Sequence, residues 1–125
     1  MKRLLYIFLM LFTLSACEET VYLSEQDTNR DLSIDVGQSV VITLSESNVT
    51  GYEWYFRIEP FGQTAISSVR KKFTISPKKL LEASGEKEFT FKARKPGRAI
   101  VIGEYRRAWE KWAPTRSVRF FINVQ

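Results

Sequence analysis

The sequence contains no histidine and only one cysteine in 125 residues. The first absence removes Ser-His-Asp and Cys-His nucleophilic arrangements, together with the commonest zinc ligand. The second rules out a disulfide within the chain. No glycine-rich turn leads into a helix, so a phosphate cradle or dinucleotide site is not supported. No window carries a long apolar stripe at helical spacing, and no apolar run reaches the ~20 residues that a membrane-spanning helix needs. Internal repeats, low-complexity tracts and signs of a second domain are missing as well. A carboxylate pair for glycoside hydrolysis is formally available from Glu53, Glu59, Glu104 or Glu110, but these residues read as solvent-side members of alternating strands. The chain is therefore not expected to be an enzyme, nor to carry a metal or cofactor. Binding is what remains.

What is present begins with "MKRLLYIFLMLFTLSACEE". Lys2 and Arg3 precede a short apolar run over residues 4–12, and Leu14, Ser15, Ala16 and Cys17 follow. This is the pattern of a secretory signal, and the run is too short for a permanent anchor. The tetrad resembles a bacterial lipobox, which implies cleavage before Cys17 and lipidation of that residue. Export also makes a free thiol an odd thing to carry, which favours a lipidated Cys17 over an incidental one. Glu18 in the next position favours the outer membrane over retention at the inner one. The expected organisation is a signal peptide over residues 1–16, a lipidated polar tether over 17–30, and one domain over 31–125.

The net charge of +5 falls once Lys2 and Arg3 are removed. Such a surface is no nucleic-acid footprint, and export argues against nucleic acid independently. Arg70, Lys71, Lys72, Lys78 and Lys79 read as a solvated face, with an anionic membrane or a negative partner as the alternative.

Within the domain the apolar period is mostly two. "DLSIDV", "SVVITL", "YEWYFRIE", "KEFTFKAR", "RAIVIGEY" and "SVRFFINV" alternate or run apolar for a strand's length, and glycines and prolines separate them. Residues 76–85, "SPKKLLEASG", offer one short turn of helix. Six or more short strands with turn signals predict an all-β sandwich or small barrel, and the missing disulfide does not exclude an immunoglobulin-like β-sandwich.

Two connections stand out. "SESNVTGYEW" is rich in small polar residues before Gly51, and "EYRRAWEKWAP" places Trp109 and Trp112 among charged side chains. If they share one end of a sandwich, broad rings lie beside small adaptable groups, a composition suited to protein binding. Trp112 reads equally well as a cap on the core end.

These residues resemble the chagasin-like inhibitors of papain-type cysteine proteases. That family's first loop reads Asn-Pro-Thr-Thr-Gly, then an aromatic, any residue and Trp. The pattern falls on Ser47, Asn48, Val49, Thr50, Gly51, Tyr52, Glu53 and Trp54, with the proline replaced by Asn48. Its third loop, Arg-Pro-aromatic after a strand ending in Tyr, falls on Tyr105, Arg107, Ala108 and Trp109, again without the proline. The glycine-rich middle loop falls on Glu82, Ala83, Ser84 and Gly85 and keeps one glycine. The resemblance spans roughly residues 30–125.

It implies an immunoglobulin-like sandwich that inhibits a papain-like cysteine protease reversibly and without covalent chemistry. Thr50 and Gly51 would sit over the catalytic cysteine, flanked by Val49 and Tyr52. Trp109 would lie on the primed side, Arg107 would add charged hydrogen bonds at the rim, and Ser84 with Gly85 would follow the non-primed subsites. Trp112 joins the binding residues unless it caps the core. The expected partners are such a protease and, through the lipid on Cys17, a membrane of the bacterial cell envelope; the domain is expected to be a monomer. Two other readings stay open: an envelope protein-binding or adhesion module using the same end, and glycan binding through Trp109, Trp112 and Tyr105.

Overall fold

Alternation sends every second side chain of a strand to one face, and here that face becomes a shared core. The computed structural model describes residues 19–47, 50–60, 65–74, 84–110 and 112–125. Among them are eight strands: β1 (Thr20–Ser24), β2 (Asp31–Ile34), β3 (Ser39–Ser47), β4 (Tyr52–Glu59), β5 (Ile66–Thr74), β6 (Ser84–Ala93), β7 (Gly97–Arg107) and β8 (Arg116–Val124). They form two four-stranded sheets, ordered β1-β3-β6-β5 and β2-β8-β7-β4. The β1·β3 and β2·β8 pairs are parallel and the others antiparallel. This is the expected all-β, immunoglobulin-like sandwich.

Val40, Ile42 and Leu44 of β3 line one layer of the core with Phe89, Phe91 and Ala93 of β6. Ala99 and Val101 of β7 line the other, with Val118, Phe120, Ile122 and Val124 of β8. None of these side chains is more than 3% exposed. Burying the larger ones contributes about 1.5–3 kcal/mol each. Phe56 bridges the layers, its ring centroid 4.3 Å from Phe89 and 5.6 Å from Phe91. It lies opposite Gly103 on β7. A Cβ on Gly103 would stand 2.8 Å from Phe56 Cζ and 2.9 Å from Val118 Cγ2, so this glycine makes room for the ring.

Three local expectations need correction. Residues 20–24, read as tether, form β1 beside β3, and Leu23 enters the core at 3% exposure. A five-residue strand with one fully buried side chain leaves almost no periodic trace. No strand was expected over residues 66–74, yet β5 pairs with β6 along its length. Only Ile66 of β5 is buried, and a register shift between Ser68 and Arg70 breaks its alternation. Charged side chains and a bulge are what protect a sheet edge from unwanted pairing, and Arg70, Lys71 and Lys72 fill that role here. Of the helical turn expected over 76–85, Ser84 and Gly85 begin β6, and the rest lies outside the described residues. A 3-10 turn (Glu25–Asp27) after β1 was not foreseen; Asp27 closes it by accepting the Ser24 N–H at 2.8 Å.

The registers decide which connections meet. Tyr52 is opposite Arg107, Ser47 opposite Ser84, and Tyr105 opposite Arg116. The β3–β4, β5–β6 and β7–β8 connections therefore all emerge at one end of the sandwich.

Candidate functional site

The β3–β4 connection passes from one sheet to the other, so its two stems have no shared ladder to hold them. Side chains supply the missing restraint. Glu46 continues the inward parity of Val40, Ile42 and Leu44 and is only 5% exposed. Its Oε1 accepts the Trp54 backbone N–H at 2.8 Å, and its Oε2 stands 3.5 Å from Lys87 Nζ on β6. Trp54 is itself 2% exposed and donates its indole N–H to the Ser45 carbonyl at 2.9 Å. The Ser47 N–H donates to the Tyr105 hydroxyl at 3.3 Å. A buried donor or carboxylate left without a partner costs a few kcal/mol, so these bonds define where the stems sit.

Aromatic and guanidinium groups continue the support outward. Arg116, ion-paired with Glu25, lies over the Trp54 and Tyr105 rings at 5.4 and 5.2 Å. Tyr105 packs on Trp54 at 5.1 Å and on Tyr52 at 5.4 Å. Arg107 covers Tyr52 at 4.5 Å and reaches Trp109 at 5.8 Å. Each cation sits over the negative face of a ring, a contact that strengthens as water is excluded.

At the tip, Gly51 has φ +80°, a backbone angle that side chains rarely tolerate. The space beside it is also taken: an added Cβ would stand 2.7 Å from Trp109 Cη2, and the exposed indole would have to shift. The indole thus rests against the first loop while the residue stays 69% exposed. Arg107 Nε donates to the Thr50 carbonyl at 3.1 Å, and Arg107 Nη1 stands 3.3 Å from Glu110 Oε1. The Tyr52 N–H donates to Thr50 Oγ1 at 3.4 Å. A depression of about 260 Å³ at the foot of the loop is lined by Glu46, Ser47, Gly51, Tyr52, Phe73 and Lys87, among others.

The structure thus brings Thr50, Gly51, Tyr52, Arg107 and Trp109 together. Trp112 is 71% exposed, which removes the core-cap reading of that side chain. Ser84 and Gly85 were expected on an open loop, but they are the first two residues of β6, with backbones opposite Ser47 and Glu46. Gly85 is buried there, because the β3–β6 ladder runs to the very end of β3. Val49 and Cys17 lie outside the described residues. Glu46, Lys87, Tyr105 and Arg116 support the site without having been anticipated in that role. A signal existed for Glu46: it falls on the apolar parity of "VVITLSE".

Each of the four carboxylates considered for catalysis is engaged by a neighbouring side chain. Glu53 accepts the Tyr55 hydroxyl at 3.1 Å, Glu59 and Glu104 pair with Arg57, and Glu110 pairs with Arg107. Burial pushes the Tyr55 hydroxyl above the usual phenol range, and its hydrogen bond to Glu53 adds to the shift. Among the described residues no cluster of acidic, histidine or cysteine side chains is placed to hold a metal, and no helix is long and apolar enough to cross a membrane.

The fold has counterparts of known structure. The cysteine protease inhibitor EhICP2 from Entamoeba histolytica superposes with a TM-score of 0.72 at 23% identity, covering 85% of this chain and 95% of that one. The solution structure of Amebosin gives 0.69 at 22% identity, covering 86% and 99%. PbICP-C, solved in complex with falcipain-2, gives 0.53 at 21%, covering 89% and 95%. At these identities the likeness is one of fold. Among curated protein sequences none matches the chain significantly. The family model described as "Chagasin family peptidase inhibitor I42" matches residues 33–124, which takes in every strand from β3 to β8 and both supported loops. The chain belongs to the chagasin family of peptidase inhibitors, non-catalytic proteins that act through their loops.

Proposed function

We infer that the domain inhibits papain-like cysteine proteases reversibly, filling the active-site cleft with the connections at the β3–β4 and β7–β8 end. The observation that carries this reading is the exposed Trp109 ring resting on Gly51, above stems held by side-chain bonds. An inhibitor of this kind needs no nucleophile. It must reach into a groove, lose little entropy there and offer no peptide bond in a cleavable geometry. The loop end fits those needs: its rings project and its stems are restrained before any partner arrives. The complex of the related PbICP-C with falcipain-2 supports the same class of partner.

In this reading Thr50, Gly51 and Tyr52 approach the catalytic cysteine together with Val49, while Trp109 and Trp112 lie along the primed side. Ser84 and Gly85 contribute only where the backbone of β6 emerges. The domain acts as a monomer. Lipidation at Cys17 after cleavage of residues 1–16 holds it to a bacterial envelope membrane, the outer one by the identity of Glu18; support for this comes from "LSAC" and the apolar run before it. Intact mass of the envelope-extracted protein, with Cys17→Ser as control, tests the anchor: an unmodified Cys17 thiol rejects it.

The test of inhibition is a steady-state titration of papain with the domain from residue 18 onward. Competitive inhibition that collapses in Trp109→Ala is the expected result. A folded domain that inhibits none of several papain-like enzymes overturns the reading and favours an envelope protein-binding module. Glycan binding is disfavoured by Tyr105, whose ring packs between Tyr52 and Trp54 and whose hydroxyl accepts the Ser47 N–H.

A further inference from the structure

We propose that Arg107 is a positioning residue, which fastens the first loop to the third within the free protein and so presents Gly51 and Trp109 as one preformed edge. The family resemblance implies a different job, that of donating hydrogen bonds to the protease at the rim. This proposal rests on the protease-inhibitor reading for its consequence, though not for its geometry.

The guanidinium is largely committed inside the molecule. Its Nε–H donates to the Thr50 carbonyl at 3.1 Å, and its Nη1 pairs with Glu110 Oε1 at 3.3 Å. Its Cζ lies over the Tyr52 ring, 4.5 Å from the centroid, and over the Trp109 ring at 5.8 Å. Thr50 and Tyr52 flank Gly51 on the first loop, while Trp109 and Glu110 lie on the third, so one side chain touches both connections. A planar fork with fixed donor directions suits this task, and the compact ammonium of lysine does not.

The need for such a fastening is visible in the sequence. Neither Asn48 nor Ala108 is proline, so backbone φ is not preset at either position. Trp109 is 69% exposed, and among the described residues the edge of its ring meets Gly51 while the guanidinium lies 5.8 Å from it. An exposed indole without that support samples several rotamers and loses that freedom on binding. Arg107 removes part of this loss in advance. The contact with the Thr50 carbonyl also sets where the peptide before Gly51 points.

The chain has three tryptophans, of which Trp54 is 2% exposed. In Trp112→Phe, Trp109 is therefore the exposed reporter. Time-resolved fluorescence anisotropy of the full chain carrying this change should show a larger fast component when Arg107→Ala is added, and an intermediate one with Arg107→Lys. Unchanged anisotropy in both would overturn the proposal without reference to any protease. The second arm is a double-mutant cycle for papain inhibition with Arg107→Ala, Trp109→Ala and the pair. Arg107→Ala alone should weaken inhibition on the order of 10-fold, and by under about 3-fold when Trp109 is already alanine, because contacts that act through each other are not additive. Equal losses in the two backgrounds would make Arg107 a direct protease contact and end the positioning role. If the wild-type chain fails to inhibit papain while Arg107→Ala still loosens Trp109, the protease reading fails and the positioning role stands.

Discussion

Trp54 and Trp109 sit a short distance apart at the same end of the sandwich and do opposite things. Trp54 is 2% exposed with both its backbone and indole N–H groups engaged, whereas Trp109 is 69% exposed and rests on a glycine. Between them run Tyr105, Tyr52 and Arg107, ring upon ring and cation upon ring. The contrast separates holding from reaching. An inhibitory edge made only of exposed rings would be mobile, and one made only of buried rings would touch nothing; here the buried member stiffens the stems from which the exposed member projects.

Substitutions should pull the two functions apart. Trp54→Ala removes a buried ring and the indole hydrogen bond to the Ser45 carbonyl, and should cost about 3–5 kcal/mol, a large share of a small domain's stability, as read by thermal or denaturant unfolding. Glu46→Ala leaves the Trp54 N–H and the Lys87 ammonium without their partner; a loss of about 3 kcal/mol is expected, with Glu46→Gln recovering part of it by restoring an acceptor. Trp109→Ala should leave the unfolding midpoint nearly unchanged while weakening papain inhibition by about 2 kcal/mol, roughly 30-fold. Comparable losses of stability in Trp54→Ala and Trp109→Ala would erase the distinction drawn here. Thr50→Ala should change inhibition by less than about 0.5 kcal/mol, since the Thr50 carbonyl, not its hydroxyl, meets Arg107.

The smallest effect concerns the outer face of the β4 sheet. The folded pKa of Tyr55 lies above the ordinary phenol value, first through burial and then through Glu53. The folded state therefore favours the protonated phenol, and this contribution is complete below the unfolded value near 10 and is lost as pH rises through the raised one. Ultraviolet absorbance should show a tyrosine phase above the ordinary phenol value, and Tyr55→Phe should abolish that late phase. Persistence of the phase in the variant would assign it to another tyrosine.

How much was legible follows from periodicity. β2, β3, β4, β6, β7 and β8 announced themselves because each turns alternate apolar side chains toward the core, and the same parity carries Glu46 inward after Leu44. β5 was silent, since a mostly exposed edge strand with a register shift has no apolar period to display. β1 was silent for a related reason: only Leu23 is fully buried, and its partner lies far along the chain. Among the site residues, Gly51 and Trp109 were recognised as types suited to a turn and a contact. Their mutual contact was not readable, because 58 positions of sequence separate them and nothing local encodes it.

The sequence by itself determined most of the strands and which of their faces turn inward, the absence of histidine and disulfide chemistry, and the two connections with unusual composition, all of which depend on residue identity and spacing of two along a strand. Tertiary structure alone decided that Tyr52 faces Arg107, that Gly85 lies inside a strand and not on a rim, and that Trp112 is exposed while Trp54 is enclosed. Those outcomes depend on strand register and on which sheet each strand joins. Long-range pairing sets both, through the burial it achieves, and no short window of residues contains that information.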